Sequence, residues 1–267
     1  MGSWNDILKE VNETQSQYDY VRRKYLKELS DYTGRNTVAY YSSWLNKQGN
    51  NLDINDADMT GFMTCVHGLD CTKGLDLVLH TPGGSPAAEA IVSYLRAKFD
   101  NDIRVIVPQL AMSAGTMIAC SAKEIIMGKQ SSLGPIDPQF NGIPAYNIMM
   151  EFEEAKKDLL ENPNNAQYWA IKLQQYPAAF MKTAIDAIEL SGKLIEEWLG
   201  TCMFDKNNRG DQRIIDNIVS KLNEHDDSKI HGRHFNAEFC KNIGLKVLMM
   251  EEDGELQDKI LSVHHSY

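Results

Sequence analysis

Nowhere in the 267 residues is there an unbroken apolar run of the roughly 18 residues needed to cross a bilayer as a helix. The first residues also lack the basic-then-apolar order of a secretion signal, so a soluble, cytoplasmic protein without a membrane span is expected. Clusters of Lys and Arg are absent as well: 27 basic side chains stand against 37 acidic ones, for a net charge of -10. That balance argues against a nucleic-acid partner, which would require basic groups gathered against phosphates. The five cysteines, Cys65, Cys71, Cys120, Cys202 and Cys240, form no C-x-x-C pair. They read as reduced thiols rather than as a disulfide framework or a zinc site. Internal repeats and low-complexity tracts are missing too, and no histidine occurs between His80 and His225.

What is present begins with a hydrophobic content of 43%, enough for one large core. From Leu75 to Met127 the pattern is strand, helix, strand, helix, strand. That alternation predicts an α/β protein with a mostly parallel sheet and helices packed outside it. Ahead of it, Trp4 to Leu29 carries an imperfect helical stripe, Thr37 to Ser42 reads as a first strand, and Asp58 is placed to cap a helix from Met59 to Leu69. Asp53, Asp56, Asp58 and Asp70 lack the glycine and terminal glutamate of a calcium loop, so no metal is expected, and no cofactor. Beyond Tyr146 come three helices, over Glu151 to Leu160, Asn165 to Gln175, and Pro177 to Leu199 with Pro177 in the first turn. A helix over Asp211 to Leu222, a polar turn over Asn223 to Ser228, a short helix and a strand over Leu245 to Met249 follow. The acidic end, Glu251 to Tyr267, is expected to be partly disordered.

Two loops leave the carboxyl ends of neighbouring parallel strands, where ligand sites in such sheets are built. One is Thr81-Pro82-Gly83-Gly84-Ser85-Pro86, between the strand Leu75 to His80 and a helix that starts at Ala87. Adjacent glycines let backbone N–H groups face a ligand that no side chain blocks. The other is Ala111-Met112-Ser113-Ala114-Gly115, between the β-branched run Asp102 to Pro108 and a helix of small residues. Ser113 is either the N-cap of that helix or a nucleophile at the positive end of its dipole.

The phrases Leu79-His-Thr-Pro-Gly-Gly84, Val107-Pro-Gln-Leu-Ala-Met-Ser-Ala-Gly-Thr-Met-Ile-Ala119 and Met127-Gly-Lys-Gln-Ser-Ser-Leu-Gly-Pro-Ile-Asp-Pro-Gln-Phe140 together resemble the Clp-fold serine peptidases. These comprise the ClpP and signal peptide peptidase A group within the crotonase-like superfamily, and the nearest resemblance is to the serine dehydrogenase proteinase family. It runs from about Asn36 to Ala145. The resemblance implies a ClpP/crotonase-like fold of repeated β-α-β units and peptide hydrolysis through a Ser113 acyl-enzyme. It places the oxyanion hole at Gly83, Gly84 and Ala114, and implies a homo-oligomer acting on peptides or unfolded proteins. The expected division is an N-terminal helical extension over 1–35, a peptidase core over 36–200 and an α/β extension over 201–267 packed on it.

The hydroxyl needs a base, and here the resemblance is incomplete. Where ClpP carries its histidine, this chain has Ile136-Asp137-Pro138. Where the signal peptide peptidases carry a lysine, Lys156 and Lys157 fall among Glu151, Glu153, Glu154 and Asp158, which would keep a lysine protonated. Lys129, in the turn-rich loop, and His231 and His234 are further candidates. Asp137 and His80 are candidates for orienting a base or binding substrate. Two other functions stay open: a crotonase-like enzyme acting on an acyl-CoA, and a non-catalytic Clp-fold scaffold.

Overall fold

The structure is a computed structural model that describes residues 9, 18–45, 47, 49, 52–84, 87–223 and 232–267. In chain order its elements are helix α1 (Tyr18–Thr33), strand β1 (Asn36–Tyr41), α2 (Asp58–Val66), β2 (Leu75–His80), α3 (Ala87–Phe99) and β3 (Ile103–Val107). The short β4 (Leu110–Ala111), α4 (Ala114–Cys120), β5 (Glu124–Met127), β6 (Ser132–Leu133), β7 (Gln139–Phe140) and β8 (Ile143–Pro144) follow. The remainder is α5 (Ala145–Glu161), α6 (Ala166–Leu173), α7 (Phe180–Trp198), α8 (Arg209–Asn223), β9 (Phe235–Asn236), α9 (Ala237–Ile243), β10 (Val247–Met249) and α10 (Gly254–His265).

The main sheet has the order β1-β2-β3-β5-β10, with every pair parallel. All six residues of β2 are buried, as a strand covered on both faces must be. Its side chains alternate between two cores. Leu75, Leu77 and Leu79, with Val105, Val107, Ile125 and Met127, meet α3, α4 and α7 on one face. Val78, Ile106 and Ile126 meet Leu29 of α1 and Ile260, Leu261 and Val263 of α10 on the other. The second face therefore depends on the carboxyl-terminal segment.

That segment corrects an expectation. Far from being disordered, Gly254–His265 is a helix whose N-cap Asp253 accepts hydrogen bonds from the N–H groups of Glu255 and Leu256. Leu256, Ile260, Leu261 and Val263 give it a face that packs under the sheet, and this burial outweighs the acids at its start. Asp58 does not cap α2: its carboxylate turns back to accept from the Asn55 N–H and the Tyr40 hydroxyl, each at 2.9 Å. Pro177 precedes α7 rather than entering it, because Ala179 is left-handed at φ 64° and the helix starts only at Phe180. Ile7, Leu8 and Val11 of the N-terminal stripe, the turn over 224–228 and His231 lie outside the described residues. Among the described residues no helix is long and apolar enough to cross a membrane.

Candidate active site

Strands β2 and β3 hold the site by their carboxyl ends. Past His80 the chain bridges to the short β4 through Thr81 and Ala111. The Thr81 N–H donates to the Leu110 carbonyl, and the Met112 N–H donates to the Thr81 carbonyl, both at 3.0 Å. The glycine turn and the residue before Ser113 are thus stitched together before either loop enters its helix.

Ser113 stands at the N-cap position of α4 with φ 50° and ψ -116°, and its side chain makes no capping bond. Left-handed φ in a residue that carries a Cβ costs of order 1–3 kcal/mol and persists where surrounding structure imposes it. The imposing structure is a tight strand-to-helix turn: the Gly115 N–H returns to the Met112 carbonyl at 2.8 Å, and the Met117 N–H reaches the Ser113 carbonyl at 3.1 Å. Such a turn lifts a hydroxyl clear of its own backbone. Of the two readings of Ser113, the cap is the one its side-chain hydrogen bonding does not fit.

Gly83 (φ 107°) and Gly84 (φ 154°) lie against this turn in backbone conformations that suit only glycine. A Cβ on Gly83 would sit 2.6 Å from the Ser113 Cβ, and one on Gly84 would sit 2.3 Å from the Ile54 carbonyl oxygen. The Gly83 N–H is occupied by the Thr81 hydroxyl at 3.2 Å, and its carbonyl accepts from the Ile54 N–H at 2.7 Å. Among the described residues the N–H groups of Gly84 and Ala114 have no hydrogen-bond partner.

The two loops open into a cavity of about 560 Å³. Its inner wall includes Gly83, Gly84, Ser113 and Ala114; Met117, Ile136 and Phe140 continue it, and Leu190 and Leu194 of α7 form the far side. The loop carrying Ile136 is fixed by Thr116, whose buried hydroxyl accepts from the Gly134 N–H and has the carbonyl oxygens of Gly134 and Ala111 as acceptors for its one proton, each at 2.9 Å. Asp53 and Glu89 bring carboxylates to the lining, and no lysine, arginine or histidine contributes to it among the described residues.

Ser113, Gly83, Gly84 and Ala114 are thus brought together. The remaining candidates lie elsewhere. Lys156 on α5 is 71% exposed and 3.5 Å from the Glu153 carboxylate. Lys129 is exposed, with its backbone N–H bonded to Glu251, and His234 is exposed beside β9. Asp137 is buried between two lining residues without itself joining the lining. His80 is buried outside the cavity, with Nε2 3.1 Å from the Gln109 Oε1 and its ring against Tyr41, Trp44 and His264. Burial lowers its pKa, with the Gln109 contact opposing. Sequence reasoning missed Asp53 and Glu89, whose local sequence is that of an ordinary loop and a helix first turn. It also missed Leu190, which comes to the cavity only through the packing of α7.

Residues 52–164 match the family model of the ClpP-like SDH-type serine proteinases, and the parallel sheet with flanking helices fits a Clp-type fold. Two uncharacterised proteins of Methanocaldococcus jannaschii are similar. MJ0137 is 42% identical over 86 residues, 32% of this chain and 30% of that protein. MJ1495 is 41% identical over 75 residues, 28% of this chain and 26% of that protein. The aligned stretch thus spans less than a third of either relative.

Proposed function

We propose that this chain, whose residues 52–164 match the family model of the ClpP-like SDH-type serine proteinases, hydrolyses peptide bonds by acyl transfer to Ser113. The observation that carries the proposal is the pairing of an uncapped serine at φ 50° with the glycine turn packed against it. Ser113 Oγ attacks the peptide carbonyl and gives its proton to a base. The resulting oxyanion lies between the N–H groups of Gly84 and Ala114, dipoles already in place before charge develops. The C–N bond then breaks, the amine leaves with the proton, and water hydrolyses the ester. Gly83, its N–H already engaged, shapes this hole without donating to it. Met117, Leu190 and Leu194 suit an apolar substrate side chain.

The base comes from outside the cavity in this reading. Lys156 lies on α5, the helix packed against α7, and α7 supplies the cavity's far wall. Burial against a second copy of the chain would favour the neutral amine that a base requires. The reading therefore includes a homo-oligomer, with Lys129 and His234 as the alternatives to Lys156.

The test is mass spectrometry of an unstructured protein incubated with wild type and with Ser113→Ala. Fragments from wild type only are expected; equal fragmentation by both would overturn the proposal. One observation favours a second reading, a non-catalytic Clp-fold scaffold: the cavity lining holds no lysine or histidine among the described residues. No fragments from the assembled wild type would move that reading forward. Turnover of an acyl-CoA thioester that survives Ser113→Ala would instead indicate crotonase-like chemistry.

A further inference from the structure

Thr81 is fully buried between the two loops of the site, and both its backbone and its side chain are engaged. The hydroxyl accepts from the Gly83 N–H at 3.2 Å and from the Ser42 hydroxyl at 3.0 Å, and its own proton faces the Gly83 carbonyl oxygen at 3.5 Å. The backbone carbonyl of the same residue accepts from the Met112 N–H at 3.0 Å, one residue before Ser113. A single side chain and its own peptide group therefore touch both halves of the proposed machinery.

What this does follows from peptide geometry. The peptide linking Gly83 to Gly84 is planar and trans, so the Gly83 carbonyl and the Gly84 N–H point in opposite directions. The Ile54 N–H holds that carbonyl at 2.7 Å, and the Thr81 hydroxyl grips the preceding N–H while facing the same oxygen. Held in this way, the Gly84 N–H faces away from Ile54. Two glycines in succession have the widest backbone freedom available to a chain, so without this grip the donor would swing. Ser42, at the end of β1, spends its proton on the Thr81 oxygen and so leaves the threonine's proton for the Gly83 carbonyl.

We infer that Thr81 is a positioning residue. Its hydroxyl, oriented by Ser42, sets the direction of the Gly84 N–H, and its carbonyl keeps that donor in register with Ser113. The kinetic consequence rests on the peptidase reading, whereas the grip on the glycine turn does not.

The experiment compares wild type with Thr81→Val, which keeps the shape and removes the oxygen, and with Thr81→Ser, which keeps the oxygen. Peptide cleavage is followed for kcat and KM, and exchange of the Gly83 amide hydrogen is followed on the same samples. In Thr81→Val, kcat is expected to fall about tenfold or more while KM stays within about twofold, since a misdirected donor is lost in the transition state. Gly83 exchange should accelerate in the same variant. Thr81→Ser should restore kcat to within about threefold of wild type and restore slow exchange. Wild-type kcat and exchange in Thr81→Val, or equal losses in valine and serine variants, would overturn the inference. If wild type cuts no peptide, the peptidase reading fails, and the exchange result alone decides whether Thr81 braces the turn. Should Thr81→Val fail to fold, Ser42→Ala, at a half-buried position, makes the same test: faster Gly83 exchange upholds the inference and unchanged exchange overturns it.

Discussion

The two ends of the parallel sheet are built on opposite plans. At the amino end, fully buried Asp76 is met by Arg35 Nε at 2.8 Å and by Arg104 Nε and Nη2 at 2.7 Å each. Arg35 continues to the Asp102 carboxylate at 2.9 Å and to the Asp102 carbonyl at 2.7 Å, and Lys123 closes on Asp102 at 2.6 Å. Each of these charges faces an opposite charge. At the carboxyl end, Ser113, Gly83 and Gly84 all have positive φ, and the Gly84 and Ala114 N–H groups are unbonded among the described residues. One end spends its polar groups on the fold; the other leaves backbone donors unbonded among the described residues on a strained turn, at the edge where such sheets build their ligand sites.

The largest expected effect tests that contrast directly. Ser113→Gly removes the hydroxyl and the Cβ that makes φ 50° costly. Peptide cleavage should fall about 10³-fold or more, while stability in urea should rise by about 1 kcal/mol. A less stable glycine variant would show that Ser113 is not strained, and the contrast between the two ends would lose half its basis.

Next in size is Asp76→Asn at the other end. It removes the buried carboxylate that Arg35 and Arg104 share and leaves them only the more exposed Asp102 and Glu124, which should cost about 3 kcal/mol. Cleavage per folded molecule should stay within about twofold of wild type, because the change lies at the far end of the strands from the site. Loss of activity without loss of stability would mean that the ion network reaches the active site.

Acid should separate the two ends further. Burial, helped by the charges of His80 and His265, holds the His264 pKa down to about 4, and burial lowers that of His80. Both groups bind protons more readily when unfolded, so they contribute stability that is fully present above about pH 6.5. For His264 that contribution is lost as pH falls from 6.5 toward 4, with a slope of at most about 1.4 kcal/mol per unit, and His80 adds a loss of the same sign. His264 sits at the end of α10 against Tyr41 and His80, near the carboxyl end of β2. At the amino end, burial raises the Asp102 pKa, but Lys123 and Arg35 outweigh it and leave it below the ordinary value. Its contribution is therefore present above about pH 4 and lost only below. Denaturant midpoints measured from pH 7 to pH 4 should fall in wild type and flatten in His264→Gln; the same fall in the variant would refute this assignment.

How much of this was legible in the sequence differs between the two ends for a physical reason. The β2 strand could be read because a run buried on both faces is mostly apolar, and Gly83-Gly84 with Ser113 because a special backbone needs special residues in short order. Those two phrases come together on the lining of one cavity, the candidate site. Asp76, inside a hydrophobic run, gave no sign of its partners, since Arg35 and Arg104 reach it only through strand pairing. The α10 helix was missed for another reason. The acids at Glu251, Glu252 and Asp253 dominated the composition, although Leu256 and Ile260 already carried helical spacing. The choice of base among Lys129, Lys156, Lys157, His231 and His234 stayed open because a side chain that reaches a site through tertiary or subunit packing has no fixed distance from Ser113 along the chain.

The smallest effect sharpens the account of the charged end. Lys123 and Asp102 form an ion pair at 2.6 Å, yet their side chains are 38% and 43% exposed. Water and salt therefore weaken their attraction, and holding a long lysine in place costs conformational entropy. Lys123→Ala should cost only about 0.5 kcal/mol, well below Asp76→Asn, and the difference from wild type should vanish in about 1 M salt. Asp102 keeps Arg35 as a partner in that variant, which limits the loss. Equal costs for Lys123→Ala and Asp76→Asn would mean that the network acts as one unit; a small, salt-sensitive cost for Lys123→Ala would place the stabilisation in the buried Asp76 and its two arginines.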